Sequence, residues 1–406
     1  MSGRRAAVAW PLVALLFAAA CAGGRVSPIG ADGNRFTPDD DERALWVQAE
    51  KDEAALGAKA KAYGDPQLEE YLARIGDRLT PDRVRAAGGP SFTFDVIRDP
   101  TLNAFAMPNG RIYVHTGLLS RLDNEAQLAT LVAHEMAHVT HRHALALHRA
   151  VRSEGIPSAG ADVIGPTASV ILGLGLPVAA LASMRGYGRD LEHDADSAGM
   201  ESLVRAGYDP KEAPKAFALL RSESTDRGSL ETFFFGSPTR LTERIESTQR
   251  LLDTTYASAA ASPTAATGSE AFRLRMRSVV RENASEDIRA GRFLLARRQL
   301  DRVLAVAPED PIAHTYYGDL HRLQSQRAPD DAAKREQARL ALAAYEKAVA
   351  LDATLPEPHR QLAFLYYQQN DNAGARAAFQ KYLELKPGAP DARRIREYVV
   401  ELERAR

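Results

Sequence analysis

"LVAHEMAHVTHRHALALH", residues 131–148, gathers five of the chain's ten histidines into one apolar-looking run. Its spacing predicts a single helix, and inside it His134, Glu135 and His138 form the pattern His-Glu-x-x-His. On a helix, residues i and i+4 share a face and stand about 6 Å apart along the axis, so two imidazoles can converge on one zinc ion at about 2.0–2.1 Å. Glu135 is then placed to reach a water on the same ion as a general base. His141 shares the face but lies about 4.5 Å farther along the axis than His138, too far for that ion. No glycine follows to turn the chain back, and His143 and His148 are expected to point elsewhere on the helix.

A catalytic zinc takes three protein ligands and keeps a fourth position open. The third is expected downstream, in "RDLEHDADSAGMESL", where Glu192 and Asp196 are spaced i, i+4 and can both face the metal helix. Glu192 would supply the oxygen ligand, and Asp196 would accept a ring N–H and fix a histidine's tautomer. His193 and Asp194 are the alternatives if that helix is rotated.

The rest of the chain sets the context. With 406 residues, 45% hydrophobic and 26% charged, it is long enough for two or three domains with real cores. A formal charge of -1 gives no electrostatic case for a nucleic-acid partner. "MSGRRAAVAWPLVALLFAAACAGG" has two arginines, a short apolar run and small residues, the pattern of a secretory signal over 1–20. The lone cysteine, Cys21, cannot join an internal disulfide framework.

Residues 21–40 then read as a tether, and 41–85 as amphipathic helices. "SFTFDVIRD" and "GRIYVHTG" read as strands, with a turn at Pro108-Asn109-Gly110. The uncharged stretch 163–184 is expected to be a buried hairpin or a flap, because a membrane span there would separate the two halves of the site. Residues 253–270 are rich in Ala, Ser and Thr and read as an interdomain linker. Beyond it, the spacing of Leu362, Ala363, Tyr366, Ala375, Phe379 and Pro387 fits the 34-residue tetratricopeptide pattern. Two earlier imperfect repeats precede it, one carrying a charged insertion around 323–338. The expected architecture is α+β but mostly α: a domain over 41–252 with a small sheet, then an all-α repeat domain over 271–406.

Glu-x-x-Ala-Asp about fifty residues after His-Glu-x-x-His, preceded by "NAFAMPNGRIYVHTGLL" and "NEAQLATLVAHEMAHVTHRH", resembles family-48 zinc metallopeptidases, the gluzincin group that includes HtpX. The resemblance covers roughly 45–250. An export signal before it and repeats after it resemble the periplasmic BepA-like branch of that family. It implies a zincin-type domain with one zinc per chain, and endopeptidase action on misfolded or unassembled envelope proteins. A periplasmic chaperone or assembly factor with little proteolytic activity is the alternative. The resemblance also implies that Asn103, Ala104 and Phe105 border the substrate cleft, where an extended peptide could pair with a strand edge. Arg244 is implied as a stabiliser of the oxyanion.

That branch carries a histidine before the Arg-Ile pair that can occupy the zinc's open position. Here "FFFGSPTRLTERI" has none, and there is no histidine between 194 and 313. Cys21 resembles a lipobox cysteine, which implies a lipoprotein tethered to the outer membrane; plain secretion is the alternative. Partner proteins are expected on the repeats.

Overall fold

The computed structural model describes residues 26–154, 187–226 and 238–404. The signal, Cys21 and the 163–184 stretch lie outside them. The chain divides into two compact units: Met1–Ile97, Asn103–Val114 and Ala129–Ala266 in the first; Arg98–Leu102, His115–Leu128 and Thr267–Arg406 in the second. No helix among the described residues is long and apolar enough to cross a membrane.

In chain order the first part builds α1 (Asp40–Lys59), α2 (Pro66–Leu79), β1 (Thr93–Ile97), β2 (Ala104–Ala106) and β3 (Arg111–His115), then α3 (Glu125–Thr140), α4 (His143–Glu154), α5 (Arg189–Arg205), α6 (Glu212–Asp226) and α7 (Pro238–Asp253). The result is mostly α with one small sheet, as the pattern of the sequence implies. Every residue from Ala126 to Thr140 is buried, so α3 has no solvent face over that length.

The sheet order is β1-β3-β2, which leaves β2 at an edge. It pairs antiparallel with β3 in the register Ala104↔Val114, Phe105↔Tyr113, Ala106↔Ile112. The Met107 N–H donates to the Arg111 carbonyl at 2.7 Å. Hydrogen-bonded pairs recur every second residue, so Phe105 also bonds toward β3, and Ala104 and Ala106 turn their N–H and C=O groups away from β3, although all three residues are buried.

The single helix expected over 131–148 is two. It ends at Thr140, and Arg142 takes a left-handed backbone with φ of 57° before α4 begins at His143. A non-glycine residue costs about 1–2 kcal/mol there. Arg142 is held by the buried Glu42, Nε to Oε1 at 2.9 Å and Nη2 to Oε2 at 2.6 Å. Its partner lies 100 residues upstream, which is why no local signal marks the turn.

Two further segments differ from their expected character. In the stretch expected to be a tether, Ile29 is buried with Val84 and Ala87, and its N–H donates to the Thr140 carbonyl at 2.8 Å. In the Ala-rich 253–270 stretch, Ala266 bridges Tyr208: its N–H reaches the Gly207 carbonyl at 3.0 Å and its carbonyl accepts from Asp209, also at 3.0 Å. Paired backbone groups hold both segments where composition suggests free coil.

The second unit stacks α8 (Ser269–Arg289), α9 (Phe293–Val306), α10 (Pro311–Gln326), α11 (Asp331–Leu351), α12 (Pro356–Gln368), α13 (Asn372–Leu385) and α14 (Ala392–Arg404). Its core includes Ala341, Tyr345, Leu362, Ala363, Ala375 and Phe379, the last four of them positions named by the repeat pattern. Gly318 has no alternative: a Cβ there would meet the Tyr345 ring at 2.3 Å. The charged insertion mainly lengthens two helices, with α10 running to Gln326 and Asp330 capping α11 through the Ala333 N–H.

Candidate metal centre

α3 and α5 cross where Gly199 replaces a side chain. A Cβ at Gly199 would stand 3.2 Å from the His134 backbone nitrogen, so only a bare α-carbon allows this approach without a shift. The crossing lays Glu192 and Asp196, one turn apart on α5, against the two histidines one turn apart on α3.

Three donors converge. His134 Nε2 and His138 Nε2 are 3.1 Å apart, Glu192 Oε2 is 3.3 Å from His134 Nε2, and Glu192 Oε1 is 3.7 Å from His138 Nε2. Ligand atoms of a tetrahedral zinc, each about 2.0–2.1 Å from the ion, stand about 3.3–3.4 Å from one another. The trio therefore fits such an ion. The donor chemistry fits it too: two imidazole nitrogens and a carboxylate are the nitrogen and oxygen donors that zinc takes.

Asp196 is buried and lies 2.9 Å from His134 Nδ1. With Nδ1–H donating there, the Nε2 lone pair is left facing the trio. Arg244 grips the same carboxylate through Nε to Oδ2 at 2.9 Å and Nη2 to Oδ1 at 2.7 Å. It stacks on the Phe217 ring at 4.1 Å, and its Nη1 is 3.6 Å from Glu192 Oε2. An oxyanion would have to compete with these partners, so in this geometry the arginine is a clamp on the two acidic groups.

Glu135 is buried beside the trio. Burial, with the Glu192 charge adding to it, lifts its carboxyl to about 7 against the pull of His134, Arg244 and a hydrogen bond from the Ala106 N–H. Burial keeps His138 neutral, reinforced by the nearby His134. Burial and the Arg244 charge oppose a proton on His134, but Asp196 and Glu192 outweigh them and raise it to about 9. Burial would raise Glu192 as well, yet its hydrogen bond and attraction to His134 hold it down at about 2.

Of the alternatives on α5, His193 is exposed and Asp194 is turned to His141 and His143, with Oδ2 at 2.5 and 3.0 Å from their Nδ1 and Nε2. Asn103 is buried immediately before β2, and its Oδ1 has no hydrogen-bond partner among the described residues. Ala104 and Phe105 are in β2, and Ala106, which the sequence reading did not single out, is the residue that touches Glu135. Tyr187 also escaped that reading. Its ring stacks on His138 at 4.2 Å, and its backbone N–H donates to Glu192 Oε1 at 2.8 Å. No motif flags a lone tyrosine.

Residues 66–252 match the model of peptidase family M48, and residues 332–399 match that of a tetratricopeptide repeat. The chain is similar to the beta-barrel assembly-enhancing protease of Escherichia coli K12, 32% identical over 222 residues, which is 50% of this chain and 44% of that protein. The Yersinia pestis protein of the same name is 31% identical over 182 residues, 42% of this chain and 36% of the relative. The mitochondrial metalloendopeptidase OMA1 of Schizosaccharomyces pombe is 31% identical over 173 residues, 38% and 49% respectively. Each match spans less than half the relative's length.

Proposed function

We propose, from the premise that residues 66–252 are a peptidase domain of family M48 with tetratricopeptide repeats after it, that this chain is a zinc endopeptidase acting on misfolded or unassembled envelope proteins. The observation that carries the reading is the convergence of His134 Nε2, His138 Nε2 and the Glu192 carboxylate beside the buried Glu135.

His134, His138 and Glu192 would hold one zinc. When bound, the ion supplies Lewis acidity toward the scissile carbonyl and acidifies water at neutral pH. Glu135 takes the water's proton on its carboxylate and delivers it to the leaving amine. The Ala106 N–H holds that carboxylate in place. The N–H and C=O of Ala104 that face away from β3, with the Ala106 carbonyl, would orient an extended peptide by main-chain pairing, a mode that does not depend on side-chain identity. Asp196 keeps the His134 tautomer, and Arg244 keeps Asp196 and Glu192 in place. The same guanidinium would also meet the oxyanion, the role the family resemblance implies for it.

The relatives named for β-barrel assembly support outer-membrane proteins as the substrate class. The repeats would bind clients or partner proteins on their concave face. Acylation of Cys21 would tether the enzyme in the periplasm at the outer membrane. Latency through a histidine before Arg244 is not open to this chain, which has none there. The test is hydrolysis of a denatured β-barrel protein by the zinc-loaded chain, before and after chelation. Loss with the chelator and recovery with zinc support the reading, and cleavage that survives complete zinc removal rejects it.

A further inference from the structure

Among the described residues, the partner at His138 Nδ1 is an imidazole and not a carboxylate. His138 Nδ1 lies 2.8 Å from His143 Nδ1, and His143 Nε2 lies 3.0 Å from Asp194 Oδ2. His143 is buried; Asp194 is exposed, and its same Oδ2 also lies 2.5 Å from His141 Nδ1. The left-handed turn at Arg142 brings His143 back against α3.

We propose that His143 and Asp194 are positioning residues for His138, forming a two-step hydrogen-bond wire that fixes it as the Nδ1–H tautomer and aims its Nε2 lone pair at the metal position. The inference rests on the zinc reading of the site.

The assignment of protons follows from what each group can do. A carboxylate only accepts, so His143 Nε2 carries a hydrogen. A neutral imidazole has one N–H, so His143 Nδ1 is bare and must accept from His138 Nδ1–H. That leaves His138 Nε2 as a lone pair, which is the form a ligand needs. Tyr187 stacks flat on His138 and edge-on to His143, holding both ring planes. The two ligands thus have different supports: His134 leans on a buried carboxylate, and His138 on an imidazole whose carboxylate reaches solvent.

His141, His143 and Asp194 also offer three donors within 4.8 Å of one another, enough for a cation. The wire argues against one there. A cation on His143 Nε2 would send that ring's proton to Nδ1, where it would face the Nδ1–H of His138 with nothing to accept either.

Zinc affinity of the full chain, measured by competition with a chelator, tests the wire. His143→Leu is expected to bind zinc 10–100-fold more weakly. His143→Gln, whose carbonyl can accept from His138 and whose amide can donate to Asp194, is expected to recover most of that loss. Asp194→Ala, at an exposed position, is expected to weaken binding in the same direction and carries the test if His143→Leu does not fold. Stoichiometry stays at one zinc in wild type and in His141→Ala. The wire is wrong if His143→Leu or Asp194→Ala, folded, binds as tightly as wild type, if the glutamine is as weak as the leucine, or if wild type takes two zinc ions and His141→Ala one. The zinc reading itself fails separately, if Glu192→Ala retains wild-type affinity.

Discussion

Arg244 holds Asp196 by two parallel N–H···O bonds, 2.9 and 2.7 Å long, and Asp196 in turn meets His134 Nδ1 at 2.9 Å. A planar fork suits that pairing and a lysine ammonium does not. Arg244→Lys is therefore expected to keep the charge and still weaken zinc binding about 10–100-fold, read by chelator competition. Arg244→Ala breaks a buried ion pair by removing one partner and is expected to cost about 3–5 kcal/mol in chemical denaturation. Wild-type zinc affinity in Arg244→Lys would show that the clamp does not orient the ligand.

The crossing of α3 and α5 depends on Gly199. A valine there must displace one helix, so Gly199→Val is expected to destabilise by about 1–3 kcal/mol and to weaken zinc binding as the trio spreads. Denaturation and zinc titration on the same protein check both effects. Unchanged values for both would mean that the close approach does not set the site.

The N-terminal helix is fastened near the turn by ion pairs that acid should undo. Arg149 donates to Asp41 through Nε and Nη2, both at 2.8 Å, and its hydrogen bond holds Asp41 at about 2. A carboxyl with a depressed folded-state value stabilises above its unfolded value, 3.8 here, and loses that contribution as pH falls toward 2. The stability gap between wild type and Arg149→Ala is expected to be full at pH 5 and to close between about pH 4 and pH 2. Denaturation at stepped pH measures it, and a gap that widens on acidification contradicts the assignment.

In the repeats, Gly318→Ala sets a methyl against the fully buried Tyr345 ring. Overpacking of this kind is expected to cost about 1–3 kcal/mol in the repeat unit while zinc affinity stays at the wild-type value. A parallel loss of zinc binding would mean that the two properties are coupled.

The metal motif was legible because its chemistry is local: four residues of spacing on one helix put two imidazoles together, and the i, i+4 pair of acids on α5 answers them. The repeats were legible for the same reason, from small residues at fixed spacing. What escaped the sequence depends on partners far along the chain. The turn at Arg142 needs Glu42, so His143 looked as if it faced away from His138. The outward face of β2 is a matter of register with β3, and it moves the emphasis from Phe105 to Ala104 and Ala106. Arg244, implied by the resemblance as an oxyanion stabiliser, has Asp196 and Phe217 around it, partners that no local spacing announces.

The central claim is that Glu135 works as the base at a zinc held by its neighbours. Wild type and Glu135→Gln, each loaded with zinc and its content measured, are compared on a denatured β-barrel outer-membrane protein. The account predicts one zinc in both proteins, cleavage by the wild type, and a loss of at least about 100-fold in the variant. Equal cleavage by the two, or aggregation suppressed by both with no cleavage by either, would contradict it.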